Sequence, residues 1–164
     1  MSSLKGALWI EGTASVGAVF ARQVQAICAS KNVVLQRDAS GVWLIADSVH
    51  MLTELATQLV YDINEPCRVL LTLGELSQIE GKWTGWVFDK VSDLKGAVDQ
   101  GQIWFTAGLA HVLDLDQYLW EDLGLISVEE QSIHCYRLLT ATQCFIPSAL
   151  RRAIQANKCV MASP

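Results

Sequence analysis

Few side chains in this sequence have both the type and the spacing that a reaction centre requires. Gly81 and Lys82 resemble the end of a phosphate-binding loop, but the preceding glycine is too distant. Trp83 also stands where Ser or Thr would hold magnesium. Asp89 and Asp93 are four residues apart on a predicted helix, so their carboxylates share one face. Without further context, Lys82 is interpreted as a turn residue, and Asp89 and Asp93 as part of a solvated helix face.

The histidines and cysteines also lack the spacing of a catalytic or metal-binding site. His134 and Cys135 are neighbours on a predicted strand and therefore point to opposite faces, so they form no dyad with each other. We expect the histidine to be exposed and the cysteine buried. His50 and His111 fall in predicted helices and have no acidic or cysteine companion at ligand spacing, so we expect surface or boundary positions. The five cysteines include no CxxC pair, which argues against a disulfide framework or zinc knuckle and favours small buried hydrophobes.

Composition narrows the class of protein further. The 164 residues carry a net charge of −5 and only 18% charged side chains, fewer than the usual quarter. Mild acidity argues against a nucleic-acid binder. The sequence contains no run of 18 apolar residues, so we expect no membrane insertion, and the absence of a signal peptide favours the cytoplasm. The excess of apolar residues suggests that a partner covers part of the surface.

Hydrophobic periodicity then places the elements that would position any site. The predicted order alternates helices with strands and includes a strand hairpin after the first helix. The predicted elements are strand 5–11, helix 13–30, strands 33–35 and 42–46, helix 48–63, strand 68–76, helix 85–98, strand 102–106, helix 109–113, and strands 122–126 and 133–138. This order predicts an α+β, ferredoxin-like α/β sandwich with a mixed, mainly antiparallel sheet and helices packed on it.

Two parts of the chain differ in character. Residues 1–139 carry the strand and helix pattern and read as one domain. Residues 140–164 read as a C-terminal extension in which Pro147 and Ser148 begin a short helix bearing Arg151, Arg152 and Lys158. The sequence leaves open whether this extension docks on its own domain, reaches a partner or leads into a further domain.

Three segments in a fixed order carry a family resemblance. They read Arg68-Val-Leu-Leu-Thr-Leu-Gly-Glu-Leu76, Glu80-Gly-Lys-Trp-Thr-Gly85 and Gln100-Gly-Gln-Ile-Trp-Phe-Thr106. The series resembles the class III nucleotidyl (adenylate/guanylate) cyclase homology domain, and the resemblance extends over about residues 5–139. It implies that 7–12 is the first strand, 33–46 a strand hairpin, and 126–138 the last strand pair, in the sandwich fold of that family.

The family's chemistry implies two metal ions, which activate the ribose 3′-hydroxyl and hold the triphosphate. This sequence departs from the metal positions that the resemblance implies. Glu11 replaces the first metal-binding Asp and keeps its charge, whereas the second position aligns with Ser40, a poor magnesium ligand. Asp38, two residues away, is the alternative carboxylate if the turn is rebuilt.

The nucleotide-binding positions that the resemblance implies also differ. Gln36 aligns with the base-recognising Lys, and Lys82 aligns with its polar partner before the helix. Asp89 and Asp93 stand where the family has a helical Asn and Arg, and Ser127 stands where it has a phosphate-binding Lys. Two carboxylates in place of an Asn and an Arg would repel a triphosphate.

The resemblance and its departures together predict a degenerate, catalytically inactive cyclase-like domain of bacterial type, a pseudoenzyme in signal transduction. We expect it to act as a regulatory, dimerisation or sensory module, as a homodimer or with a partner protein or domain. Trp83 and Trp86 are the candidate interface residues, and no cofactor is expected. The alternatives are an active cyclase that uses Mg or Mn with ATP through Glu11 and Asp38, or a domain that binds a nucleotide without turning it over.

Overall fold

The computed structural model describes residues 2–12, 17–38 and 41–139. The strands are β1 (Ser2–Gly12), β2 (Val34–Asp38), β3 (Gly41–Ala46), β4 (Cys67–Ile79), β5 (Lys82–Thr84), β6 (Ile103–Thr106), β7 (Trp120–Val128) and β8 (Gln131–Leu138). The helices are α1 (Gly17–Cys28), α2 (Val49–Asp62), α3 (Trp86–Leu94) and α4 (Ala107–Ala110), with 3₁₀ turns at Lys95–Ala97 and Leu115–Gln117. The predicted C-terminal helix and the predicted helix cap Thr13 lie outside these described residues.

One sheet organises the described chain. Its strands follow the order β2-β3-β1-β4-β6-β8-β7, and β5 pairs with β4 beside this path. The β4–β6 pair is parallel because α3 forms a crossover between the two strands, and the other pairs are antiparallel. This architecture confirms the predicted α+β fold with a mixed, mainly antiparallel sheet.

Strand alternation sends side chains to two different faces of the sheet. On β1, Leu8 and Ile10 face α1, α2 and α4, whereas Ala7 and Trp9 face α3. We call these the α1–α2 face and the α3 face. The first is built largely from aliphatic residues, and the second contains Trp9, Trp43 and Trp104. These three tryptophans lie on predicted strands, which predicts a place in the core, and their burial confirms this prediction.

Helix α2 shows why the sequence folds this way locally. The sequence predicts a cap at Asp47 or Ser48, and the structure shows Ser48, whose Oγ accepts a hydrogen bond from the N–H of Met51 at 3.1 Å. The predicted apolar stripe is buried against the sheet at Leu52, Ala56 and Leu59. The α1–α2 face is therefore held by an ordinary amphipathic helix with a side-chain cap.

The region after β4 differs from the prediction. The sequence predicts a turn from Gly81 to Gly85, but β4 continues to Ile79 and pairs with β5 through the two-residue turn Glu80-Gly81. Both turn residues have positive φ, 51° and 80°, which matches the tight turn that twisted strands prefer. Helix α3 ends at Leu94, four residues before the predicted Val98, and continues as a 3₁₀ turn.

Candidate functional site

The two candidate metal-binding carboxylates lie near one end of the sheet. Glu11 is on β1, and Asp38 is on β2 opposite Gly41 of β3. The β1–β3 register, with Ile10 opposite Val42, places Glu11 beside Gly41 and on the same row as Asp38. Ser40, the other candidate, lies outside the described residues.

Glu11 is already paired with a cation of the chain itself. Its Oε1 accepts from Nη2 of Arg68, which lies directly opposite on β4. Nη1 of Arg68 donates to the carbonyl of Lys95 at 3.2 Å, and the guanidinium lies 5.7 Å from the centre of the Trp9 ring. The carboxylate that the resemblance assigns to a metal therefore has a fixed, hydrogen-bonded counter-charge.

Trp9 occupies the space between the two carboxylates. A Cβ on Gly41 would meet Nε1 of Trp9 at 2.7 Å, so only glycine fits beneath this indole. In the family's chemistry, two cations need carboxylates gathered around them with room for the substrate oxygens. Within residues 2–12, 17–38 and 41–139, no group of three or more His, Cys, Asp or Glu side chains could hold a metal ion. The described residues supply two carboxylates at this end of the sheet, and one of them, Glu11, is paired with Arg68.

Gln36 has a partner 47 residues away. Its Oε1 accepts a hydrogen bond from the N–H of Trp83 at 2.8 Å, and its Nε2 donates to the carbonyl of Trp83 at 3.0 Å. The side-chain amide thus pairs with the backbone of β5 in the way that a neighbouring strand would. The position that the resemblance assigns to base recognition has both its donor and its acceptor engaged.

The other sequence-predicted positions are dispersed. Lys82 is exposed beside Trp83, and Asp89 and Asp93 lie on the solvent side of α3. Ser127 is exposed on β7, at the opposite edge of the sheet from β2, which carries Gln36. The fold therefore brings Gln36 to the strand that carries Lys82, and it separates Gln36 from Ser127 by the width of the sheet.

The two candidate interface tryptophans differ in their surroundings. Trp83 is half-buried, with the ammonium of Lys5 5.4 Å from its ring centre and Lys5 paired to Asp47 at 2.5 Å. Trp86 is 55% exposed, and Nζ of Lys90 lies 4.6 Å from the centre of its ring. Burial lowers the pKa of Lys90, an effect opposed by the neighbouring Cys135. Trp86 is the more accessible of the two indoles.

Sequence reasoning missed two pairs built on histidines. The Nδ1 atom of His50 lies 2.6 Å from the hydroxyl of Tyr118, and Nε2 lies 4.0 Å from Glu54, four residues further along α2. The expectation that His50 has no acidic companion is therefore wrong, and the i, i+4 spacing to Glu54 was the available signal. Burial and the nearby Glu54 raise the pKa of Tyr118.

His134 forms the second pair. Its Nε2 lies 2.6 Å from Oδ1 of Asp122, which also accepts from the N–H of Gly124 at 2.7 Å within a β-bulge. The imidazole stacks on Tyr136 with ring centres 4.7 Å apart. Cys135 is buried on the other face, as predicted. The pair joins the two strands of the β7–β8 hairpin at the bulge.

Arg68 was also missed, although the sequence held a usable signal. Antiparallel pairing of strand 5–11 with strand 68–76 puts residue 11 opposite residue 68, and opposite charges on facing positions attract. Cys28, Cys67 and Cys135 are free and buried, which confirms the expectation for those three. Cys144 and Cys159 lie outside the described residues.

Solved structures show what this fold resembles. An adenylate/guanylate cyclase/hydrolase from Silicibacter pomeroyi superposes with a TM-score of 0.67 at 15% identity, covering 86% of this chain and 99% of that one. Adenylate cyclases from Trypanosoma brucei, described in their monomeric state, give 0.69 at 11% identity over 82% and 89%. A non-canonical dimeric guanylyl cyclase domain from Blastocladiella emersonii gives 0.62 at 11% identity over 85% and 98%.

Sequence comparison adds no closer relative. No protein-family model matches the chain, and no curated protein matches it in sequence. Within the described residues, no helix is long and apolar enough to cross a membrane. The structural likeness covers most of the described chain at low identity, and it establishes that this chain has the fold of adenylate and guanylate cyclase domains.

Proposed function

We propose that this domain is a catalytically inactive cyclase-like module that works through interaction: regulatory, dimerisation or sensory. The observation that carries the proposal is the pairing of Gln36 with Trp83. Both hydrogen-bonding atoms of the Gln36 amide are engaged by the backbone of the chain, at 2.8 and 3.0 Å. A nucleotide base would have to displace β5 to reach this amide.

The charge distribution supports the same conclusion. Glu11 is neutralised by Arg68, so the carboxylate at the first metal position already has its counter-ion. Asp89 and Asp93 add two negative charges on the exposed face of α3, in a chain whose net charge is −5. A triphosphate needs cationic and N–H donors aimed at its developing charge, and these carboxylates would repel it. No metal or nucleotide cofactor is therefore part of the proposed function.

A second copy of the chain is the proposed partner, with another protein or domain as the alternative. Trp86 is a large exposed aromatic residue next to Gln36's partner strand, and aromatic residues are enriched in interface cores. One of the similar structures is described as dimeric and another as monomeric, so association must be measured for this chain.

Turnover is tested by incubating the purified chain with ATP or GTP and Mn²⁺ and measuring cyclic nucleotide by mass spectrometry. We expect no product above a protein-free blank. Isothermal titration with the same nucleotides would also give no heat of binding. Product formation or nucleotide binding that Glu11→Ala abolishes would overturn the inactive assignment.

Association is tested separately by sedimentation equilibrium. We expect wild-type chain to self-associate and Trp86→Ala to weaken that association by at least about tenfold, as interface tryptophans often do. Tyr61, which is 80% exposed on α2, provides a matched aromatic control in Tyr61→Ala. A strictly monomeric wild-type chain would remove the homodimer and leave a different protein as the partner.

A further inference from the structure

The hairpin formed by the end of β4 and β5 extends across the α3 face. Its paired residues run from Ser77 opposite Thr84 to Ile79 opposite Lys82, and we call residues 77–84 the arm. The arm begins on β4, yet Trp83 contacts Gln36 on β2, and both β1 and β3 lie between those two strands in the sheet. The arm therefore covers part of the α3 face rather than continuing the plane of the sheet.

Few polar contacts hold the arm, and the ring of Trp83 also packs against the buried cluster of the α3 face. Gln36 makes the two hydrogen bonds to the backbone of Trp83, and Lys5 lies over the indole while paired to Asp47. Lys82 and Ile79, at the turn, are exposed. Opening the arm would break the Gln36 hydrogen bonds, the Lys5 contact and the packing of the Trp83 ring, all of which lie outside the strand pairing of the main sheet.

The two ends of the arm are fixed. Leu76 precedes it and is fully buried. Gly85 follows it, and a Cβ there would lie 2.7 Å from the carbonyl oxygen of Glu75 and 2.8 Å from Cδ2 of Leu76. Backbone this close to its neighbour has little room to shift. Motion of the arm is thereby confined to the residues between these two anchors.

With the arm in this position, two buried indole donors of the described chain have no hydrogen-bond acceptor. Within the described chain, the buried Nε1 atoms of Trp83 and Trp43 find no acceptor. Trp43 lies opposite Gln36 in the β2–β3 register, so one of these donors is next to the arm's attachment. A buried donor without an acceptor loses its hydrogen bond to water, which opposes the two bonds made by Gln36. The unsatisfied indole donors therefore oppose this arrangement of the arm, and the two bonds made by Gln36 favour it.

We infer that the arm is a two-state latch, which Gln36 holds closed over the α3 face and which opens between Leu76 and Gly85. In the open state water reaches the indole N–H of Trp83, and the Trp83 ring becomes available to the proposed partner. The inference rests on the proposed function, because it regulates the same surface. Its test reads backbone opening directly, so the result does not depend on turnover or on association.

Hydrogen exchange followed by NMR tests the latch in the wild-type chain. The amide of Trp83 should exchange through a local opening that depends little on added denaturant, whereas the amide of Leu71 in the sheet should exchange only with global unfolding. The indole N–H of Trp83 should exchange along with its amide. Equal denaturant dependence for Trp83 and Leu71 would overturn the proposal.

Substitutions at Gln36 test whether this side chain holds the arm closed. Gln36→Ala should speed exchange at the Trp83 amide by about tenfold or more and leave Leu71 unchanged, because two hydrogen bonds are removed. Gln36→Glu keeps an acceptor for the N–H but loses the donor to the carbonyl, so its effect should be intermediate. Gln78→Ala, at the exposed position opposite Trp83, is the matched control. A folded Gln36→Ala protein with unchanged exchange at Trp83 would contradict the latch.

Discussion

Both faces of the sheet are buried, but the side chains that bury them differ in type. The α1–α2 face packs aliphatic side chains from two long helices against the strands, including fully buried Leu8, Leu52 and Leu59. The α3 face is covered by a nine-residue helix and the arm, and its core includes three buried tryptophans among aliphatic residues. The candidate site residues Glu11 and Gln36 are associated with this second face.

The comparison suggests that the α1–α2 face mainly stabilises the fold, whereas the α3 face carries the candidate functional residues. The α1–α2 face is mainly aliphatic, and the hydroxyl of Tyr118 on this face is paired with His50. The α3 face contains buried indole donors without acceptors, an ion pair and side-chain bonds to backbone. We therefore expect substitutions on the first face to change stability strongly, and substitutions on the second to act through particular polar contacts.

The largest effect is expected on the α1–α2 face. Leu71 is fully buried on the central strand β4, so Leu71→Ala should lower the free energy of unfolding by about 2–5 kcal/mol through lost burial and a residual cavity. Urea denaturation measures this loss. Leu125→Ala, at a leucine 68% exposed on β7, is the control and should change stability by no more than about 0.5 kcal/mol. Equal losses would show that burial on this face is not what stabilises the fold.

Two tryptophans on the α3 face provide a matched pair. Nε1 of Trp104 donates to Oε1 of Gln102 at 2.8 Å, whereas Nε1 of Trp43 finds no acceptor in the described chain. Both replacements by Phe remove similar volume, but only Trp104→Phe removes a hydrogen bond. We expect Trp104→Phe to destabilise by about 1 kcal/mol more than Trp43→Phe in urea titrations. The reverse order would mean that the Trp43 donor is satisfied in solution.

The pair formed by Glu11 and Arg68 should show a smaller, measurable coupling. A double-mutant cycle with Glu11→Gln and Arg68→Met should give a coupling energy of about 0.5–1.5 kcal/mol, because both side chains are partly exposed to solvent. Thermal or urea denaturation of the four proteins supplies the cycle. Additive losses would indicate that the two side chains do not interact in solution and would weaken the argument from a neutralised metal position.

The smallest effect concerns the buried thiols and should be the same on both faces. Burial raises the pKa of Cys28 to about 11 on the α1–α2 face and that of Cys135 to about 11 on the α3 face. At pH 8 only about one thiol in a thousand would be ionised, so native labelling by a disulfide reagent should be slow. A Cys144→Ser, Cys159→Ser background restricts the signal to the described cysteines.

The thiols also predict a direction for stability against pH. A thiol whose folded pKa is raised from 9 to about 11 contributes stability that is fully present below pH 9 and is lost as pH rises through 11. Denaturation midpoints should therefore fall across this window. Fast labelling of Cys135 alone at pH 8 would show that the α3 face opens more readily than the α1–α2 face, as an opening arm would allow.

Much of the fold could be predicted because its signals are local. The stripe of α2, its cap at Ser48 and the alternation of β1 depend on side-chain periods of 3.6 and 2 residues. The strand β5 escaped prediction because three residues carry too little pattern to distinguish a strand from a turn. The partners of the site residues escaped it because they depend on pairing between strands far apart in the chain.

The sequence by itself determined most of the order of elements and the burial of Trp9, Trp43 and Trp104 in the core. Only the tertiary structure decided that Glu11 meets Arg68, since that contact follows from the register of β1 against β4. It likewise decided that Gln36 binds the backbone of Trp83, because the arm must first fold across the sheet. Local periodicity fixes which residues face inward, and long-range strand pairing fixes which of them touch.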